Sequence, residues 1–129
     1  MKKKIFILLF FVLLVFIVMY LYVYKQHRSI TDEVSAYNVT VEIFEKDFKE
    51  NDSLANVKYL DKTIEINGKI TSLEEENKSI IIDEKVYATF SKNFPKGLTK
   101  GKNINVKGRF VGYDDLLEQF KLDQITIEN

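Results

Sequence analysis

The sequence predicts a mainly β fold, a small barrel of five strands that is preceded by one amphipathic helix and by an N-terminal transmembrane helix. Three features of the 129 residues lead to this prediction. Residues 5–24 are continuously apolar, residues 41–58 carry apolar side chains at helical spacing, and residues 62–127 contain five stretches in which apolar and polar residues alternate. A period near 3.6 is typical of an amphipathic helix, and a period of two is typical of a half-buried strand.

These features divide the chain into four parts. We assign a basic flank to residues 1–4, a transmembrane anchor to residues 5–24, a polar tether to residues 25–39, and one barrel domain with its helix to residues 40–129. About 105 residues after the anchor are enough for a single domain with one core.

The anchor runs from Ile5 to Tyr24 without a charge, a glycine or a proline. At about 1.5 Å per residue, a helix of this length spans roughly 30 Å, which matches the hydrocarbon core of a bilayer. Side chains expected to contact lipid include Ile5, Phe11, Phe16, Tyr20 and Tyr24, and the tyrosines suit the headgroup level. A cleaved secretory signal has a shorter apolar core, about 7–15 residues, that ends in small residues. The sequence therefore favours an uncleaved anchor.

Basic residues flank the anchor on both sides. Residues 2–4 are all lysine, whereas Lys25, His27 and Arg28 follow the anchor. The small excess of positive charge on the N-terminal side favours a cytoplasmic N-terminus. The C-terminal domain of this single-pass protein would then lie in the periplasm or outside the cell, with the lipid bilayer as one partner.

One amphipathic helix is predicted between Thr40 and Lys58. Thr40 is a suitable N-cap, and Glu42 in the first turn complements the helix dipole. Asn51 and Ser53 weaken the middle of this helix, so these two residues could interrupt it. Its apolar face consists of Val41, Phe44, Phe48, Ala55 and Tyr59.

Two segments of the strand region resemble each other at a distance of forty residues. Residues 64–70 read I-E-I-N-G-K-I and residues 104–110 read I-N-V-K-G-R-F, each with a glycine in mid-strand. Such a glycine usually marks a bulge or a sharp bend, which a small barrel needs where its sheet folds back. We therefore expect the first and fourth strands of the barrel to be neighbours, bent at Gly68 and Gly108.

Together these segments resemble the bacterial OB-fold family known as tRNA-anticodon-like. The resemblance covers about residues 40–127, and it rests on A-N-V-K-Y at 55–59, K-T-I-E-I-N-G-K-I at 62–70, Y-A-T-F at 87–90, G-K-N-I-N-V-K-G-R-F-V-G-Y at 101–113 and L-D-Q-I-T-I at 122–127. It implies a helix packed on a five-stranded OB barrel and a location in the cell envelope. It implies neither an established activity nor binding of tRNA. The chain departs from lipoprotein members because it lacks cysteine.

Residue types that support common catalytic chemistry are scarce. The sequence has one histidine, His27, and no cysteine, and no serine has a plausible base partner. Triads, thiol catalysis and histidine-based zinc sites are therefore excluded. Acidic residues cluster at 74–76, 83–84 and 114–115, but their spacing matches no calcium loop, so we interpret them as solvated turn residues. We expect a protein that is not an enzyme and that holds no metal or cofactor.

Charge is segregated along the chain although the formal net charge is zero. Residues 85–109 hold seven basic and no acidic residues, whereas residues 32–84 hold 14 acidic and six basic ones. OB folds bind single-stranded nucleic acid or oligosaccharide through basic and aromatic residues of their middle strands. The candidate ligand-binding residues are therefore Lys85, Tyr87, Lys100, Lys102, Lys107 and Arg109. A second interpretation is that the aromatic residues of this zone face the core and that its lysines only keep the edges soluble.

The sequence thus indicates a non-catalytic OB-fold binding module at a membrane surface, as a monomer or a weak oligomer. Its ligand would be another envelope protein or a small or polymeric anionic molecule. Without the three N-terminal lysines the chain has 16 basic and 19 acidic residues, which argues against nucleic acid. The alternative is an OB domain that binds single-stranded nucleic acid.

Overall fold

The computed structural model describes residues 1–25 and 28–128. Its first element is helix α1, Lys2–Val23, and every side chain from Ile5 to Tyr24 is exposed. This helix is long and apolar enough to cross a membrane, as the sequence predicts. His27, the one histidine of the sequence, lies outside the described residues.

Six strands follow, and five of them close into a barrel. β1 is Tyr37–Thr40, β2 is Thr63–Glu74, β3 is Ser79–Ile82, β4 is Val86–Phe90, β5 is Asn103–Asp114 and β6 is Gln119–Glu128. The strand order is β1-β2-β3-β4-β6-β5, and antiparallel pairing between β2 and β5 closes the barrel. The predicted five-stranded barrel is confirmed. β1 adds a further strand that pairs in parallel with the first half of β2.

The amphipathic segment forms two helices instead of one. α2 is Val41–Glu50 and α3 is Asp52–Tyr59. Between them, the Asn51 side-chain oxygen accepts a hydrogen bond from the Leu54 amide at 3.0 Å, so Asn51 caps the start of α3. Thr40 caps α2 in the same way and accepts from the Ile43 amide, as predicted. The prediction of one helix through to Lys58 is corrected, because an asparagine side chain competes for backbone amides and favours a helix start over a helix interior.

Aromatic side chains close both ends of the barrel. The ring centroid of Phe44 in α2 lies 5.1 Å from that of Phe110 and 4.9 Å from that of Phe120. Phe94, in the connection between β4 and β5, lies 5.5 Å from Phe90. Phe120 pairs with Val86, the first residue of β4, and Phe90 is the last residue of β4. The helices and the β4–β5 connection therefore cover opposite ends of this strand. Burial of such rings is a main source of stability in a small domain.

The predicted polar tether, residues 25–39, is partly built into the domain. Ile30–Asp32 forms a single 3-10 turn that contacts β5 and β6, and the Ile30 side chain is 1% exposed. β1 also begins within this segment. The composition of the segment is polar, as the sequence shows, but its buried isoleucine lies in a turn that packs against β5 and β6.

Gly68 and Gly108 lie in the paired strands β2 and β5, so the predicted neighbours are confirmed. A Cβ atom on Gly68 would lie 2.4 Å from Ile82 Cγ2, and one on Gly108 would lie 2.5 Å from Ile125 Cγ2. The adjacent strand packs directly on the backbone at both positions. The pairing register also shifts near each glycine: between β2 and β3 near Gly68, and between β5 and β6 near Gly108. These shifts bend the sheet.

Candidate functional site

Two of the predicted ligand-binding residues lie on β5 and contact acids of the same barrel. Arg109 donates hydrogen bonds to both carboxylate oxygens of Asp123, at 3.0 and 2.5 Å. Its Nη1 atom also lies 3.6 Å from Asp61 Oδ1. The Asp123 carboxylate raises the pKa of the Arg109 guanidinium. Lys107 Nζ lies 3.4 Å from Glu128 Oε1, and its side chain is only 13% exposed. These two basic residues therefore join β5 to β6, and their charges are largely compensated.

Lys85 lies in the turn between β3 and β4 and faces helix α2. Its Nζ is 3.4 Å from Glu45 Oε1, a carboxylate that also pairs with Lys49 at 3.0 Å. The hydrogen bond from Lys49, with a smaller contribution from the charge of Lys85, lowers the pKa of Glu45. Lys85 thus connects the barrel to the helices and lies apart from the β5 pair.

The connection between β4 and β5, residues 91–102, carries the remaining positive charge, and we name it the lysine loop. It contains Lys92, Lys96, Lys100 and Lys102 and no acidic residue, and all four lysines are exposed. None of them forms an ion pair with another residue of ranges 1–25 and 28–128. Phe94 and Leu98 pack against the core and hold the loop on the barrel. Among the predicted residues, Lys100 and Lys102 are those with uncompensated charge.

Tyr87 lies on a different surface, the outer face of β3, β4 and β6. Ile81, Tyr87 and Lys121 are directly opposite one another on these three strands. Together with Glu74, Leu117 and Gln119 they line a groove of about 480 Å³, which we name the Tyr87 groove. The Tyr87 hydroxyl accepts a hydrogen bond from Ser79 at 2.9 Å, so the ring is fixed in place. The structure therefore does not bring Tyr87 together with the predicted lysines.

Two hairpin turns border the Tyr87 groove and give it an acidic rim. The β2–β3 turn, residues 75–78, presents two exposed carboxylates and one lysine, and the β5–β6 turn, residues 115–118, presents two more carboxylates. Lys121 in the groove is paired with Asp114 at 2.8 Å, and this contact lowers the pKa of Asp114. The local charge is negative, so the groove suits a cationic ligand and repels a polyanion.

Two adjacent leucines stand out from the β5–β6 turn. Leu116 is 95% exposed and Leu117 is 62% exposed. The Asp114 carboxylate accepts hydrogen bonds from the backbone amides of both residues, at 3.0 and 3.1 Å, and so holds them in this exposed position. Exposed apolar side chains at the edge of a groove are typical of a surface that contacts another molecule.

The sequence reasoning missed the residues that accompany Tyr87. Ile81, Leu117 and Lys121 come from three separate elements, and only the strand register places them together. The one local signal was the pair of leucines inside an otherwise polar turn. The alternative interpretation of the basic zone was that its aromatic residues face the core. This is confirmed for Phe90 and Phe110, which are 7% and 0% exposed.

Acidic clusters give no sign of a metal centre. Across the residues that the structure describes, no group of three or more histidine, cysteine, aspartate or glutamate side chains converges closely enough to hold a metal ion.

Comparison with known proteins relates the chain to one family and to one solved fold. Residues 1–122 match the family model tRNA_anti-like. No curated protein matches the chain. The fold is similar to a crystal structure described as a "putative nucleic acid-binding lipoprotein" from Klebsiella pneumoniae subsp. pneumoniae MGH 78578, with a TM-score of 0.56 and 16% identity over 71% of this chain and 91% of that one. At this identity the similarity shows the shared fold alone.

Proposed function

Because the chain belongs to the tRNA_anti-like family of OB folds, we propose that it is a membrane-anchored, non-catalytic binding module of the bacterial cell envelope. In this proposal α1 holds the protein in a bilayer, with its N-terminus in the cytoplasm and the barrel on the other side. The ligand is a basic segment of a partner protein, bound in the Tyr87 groove.

The Tyr87 groove is the single observation that carries this proposal. OB folds commonly bind their ligands on the same face, between the corresponding two turns. Here the face combines the Ile81 and Tyr87 side chains with the exposed Leu117. An apolar centre with a charged rim is the usual arrangement of a protein–protein contact. The acidic rim then selects a partner segment that carries lysine or arginine.

The apolar surface of α1 supports the anchor. Its side chains are exposed along the whole helix, and none of them contacts the barrel core. About twenty large apolar side chains cannot stay in water without association, whereas a bilayer satisfies all of them at once. A 3-10 turn with the buried Ile30 follows shortly after the helix and fixes the chain to the barrel.

A photo-crosslinking residue in the groove tests the proposal in cells. Leu117, replaced by p-benzoylphenylalanine in the full chain, should give a discrete protein adduct, because Leu117 lines the groove. The same residue at Leu54, which is 67% exposed on α3, is the matched control and should give none. Replacing both Glu75 and Glu76 with Lys should remove the Leu117 adduct, because it reverses the charge of one rim. Equal adducts from Leu117 and Leu54, or an adduct that the charge reversal leaves unchanged, would contradict the proposal.

Binding of single-stranded nucleic acid is the second candidate function. The description of the Klebsiella protein favours it and weighs against the sequence expectation that nucleic acid is an unlikely ligand. The crosslinking experiment separates the two candidates directly. An adduct whose added mass is removed by nuclease would replace the first proposal by the second.

A further inference from the structure

We propose that the lysine loop docks on the anionic phospholipid headgroups of the bilayer that holds α1, so that the barrel lies against the membrane surface. This inference rests on the proposed anchor but does not depend on the Tyr87 groove or on its ligand.

The charge of the lysine loop is the first argument. Four exposed lysines occur within twelve residues, and they have no acidic partner among the described residues. A fifth lysine, Lys69, is exposed on β2 beside the loop, where the Ile70 amide donates to the Lys102 carbonyl at 2.9 Å. Elsewhere in the domain most basic residues are paired, as Lys107 and Arg109 show. A cluster of uncompensated lysines is attracted to an anionic surface within a Debye length.

The position of the loop is the second argument. Three residues lie between Tyr24 and Arg28, so at most about 14 Å of extended chain joins the two. Arg28 is bound to the barrel, since it donates to the Asp61 carbonyl at 2.8 Å just before β2 begins. The part of β2 from Thr63 to Lys69 is roughly 20 Å long, and Lys69 lies opposite Asn103, the residue that follows the loop. A barrel that lies with β2 along the membrane therefore brings the lysine loop to the headgroups.

The side chains of the loop suit phosphate headgroups better than nucleic acid. Binding of single strands relies on exposed aromatic rings on which bases stack. The aromatic residues of this region, Phe90 and Phe94, contact each other and pack on the core instead. Lysine is a flexible point charge that needs no fixed ligand geometry. Such a surface can bind mobile headgroup phosphates in a bilayer.

Energy transfer in nanodiscs tests the proposal with the full chain. The sequence has no cysteine, so Thr99→Cys places a single donor dye in the lysine loop. The discs carry an acceptor dye on a small fraction of headgroups and consist of phosphatidylcholine alone or with about 30% phosphatidylglycerol. We expect the transfer efficiency to rise at least about twofold with phosphatidylglycerol and to fall back in about 0.5 M salt, because salt screens the attraction.

Matched variants identify which lysines respond. The Lys100→Ser and Lys102→Ser pair should abolish the dependence on phosphatidylglycerol. The Lys46→Ser and Lys49→Ser pair removes the same amount of charge from α2, which lies at the other end of β4. This control pair should leave the dependence on phosphatidylglycerol unchanged. Added inorganic phosphate at constant ionic strength should have no effect if the bilayer surface is the partner. Loss of the signal in millimolar phosphate would assign the loop to a free phosphate ligand and overturn the docking.

Other outcomes distinguish failure of the docking from failure of the anchor. Co-elution of the protein with the discs reports insertion of α1 independently of the dye. A chain that co-elutes but shows equal transfer in both kinds of disc would overturn the docking and leave the anchor intact. A chain that does not co-elute would overturn the anchor and, with it, this inference.

Discussion

At the residue scale, Glu33 connects the segment after α1 to the barrel. Its carboxylate accepts hydrogen bonds from Arg28 and, at 2.5 Å, from the Thr63 hydroxyl. These contacts, that of Arg28 above all, lower the pKa of Glu33 from its ordinary value to about 2. The ionised form is thus favoured in the folded protein, and the junction between the segment after α1 and the barrel uses this charge.

The pKa of Glu33 predicts a loss of stability in acid. The unfolded chain takes up the proton near the ordinary pKa of about 4.5, whereas the folded chain resists it down to about 2. The stabilisation from Glu33 is therefore complete above about pH 5 and disappears as the pH falls toward 2. Glu33→Gln should make the unfolding temperature fall less between pH 5 and 3 than in the wild type, as measured by circular dichroism of the full chain in detergent.

Asp32→Asn is the matched control, because Asp32 is the exposed neighbour of Glu33. Its unfolding temperature should follow the wild type across the same pH range. Identical pH dependence of Glu33→Gln and the wild type would show that the junction does not use the Glu33 charge.

Single residues also show how far the sequence could predict the candidate site. The cluster of basic residues at 85–109 was visible, but the charge that opposes each one was not. The pairing of β5 with β6 contains two register shifts. Asp123 lies opposite Arg109 only because this pair falls between the two shifts. The lysine loop retained its predicted charge because a loop has no such cross-strand partners. Local composition therefore predicted the exposed lysines of the loop, but it could not predict the acidic partners of Lys107 and Arg109.

At the element scale, the barrel contains two similar hairpins forty residues apart. β2 and β3 are joined by residues 75–78, and β5 and β6 by residues 115–118. Lys78 and Glu118 end these turns with φ angles of 53° and 52°. Gly68 and Gly108 occupy equivalent positions and permit equivalent close contacts. The glycine spacing is a local pattern, so the sequence could predict the pairing of β2 with β5.

The close contacts at these glycines predict a matched pair of destabilised variants. Gly68→Ala and Gly108→Ala should each lower the free energy of unfolding by about 1–3 kcal/mol, since a Cβ atom would overlap Ile82 or Ile125. Ser91→Ala on the exposed lysine loop should change it by less than about 0.5 kcal/mol. Denaturant titration of the full chain in detergent measures all three. An alanine tolerated at either glycine as well as at Ser91 would show that close strand packing is not needed there.

At the scale of the whole molecule, three parts have separate roles in the account. We propose that α1 inserts in a bilayer, that the lysine loop contacts its surface and that the Tyr87 groove binds a partner protein. The long apolar helix α1 could be predicted because twenty consecutive residues define it. The groove could not, because Ile81, Tyr87 and Lys121 meet only after three strands have paired in one register. The break at Asn51 and the buried Ile30 likewise depend on contacts that composition does not reveal.

The central claim is that α1 spans a membrane and places the barrel on its outer side. Because the chain has no cysteine, Ser91→Cys and Lys2→Cys report the two sides separately. Labelling of intact spheroplasts with a membrane-impermeant maleimide tests the claim most directly. We predict that Ser91→Cys reacts in intact spheroplasts and that Lys2→Cys reacts only after lysis. Reaction of Ser91→Cys only after lysis would place the barrel in the cytoplasm and contradict the account.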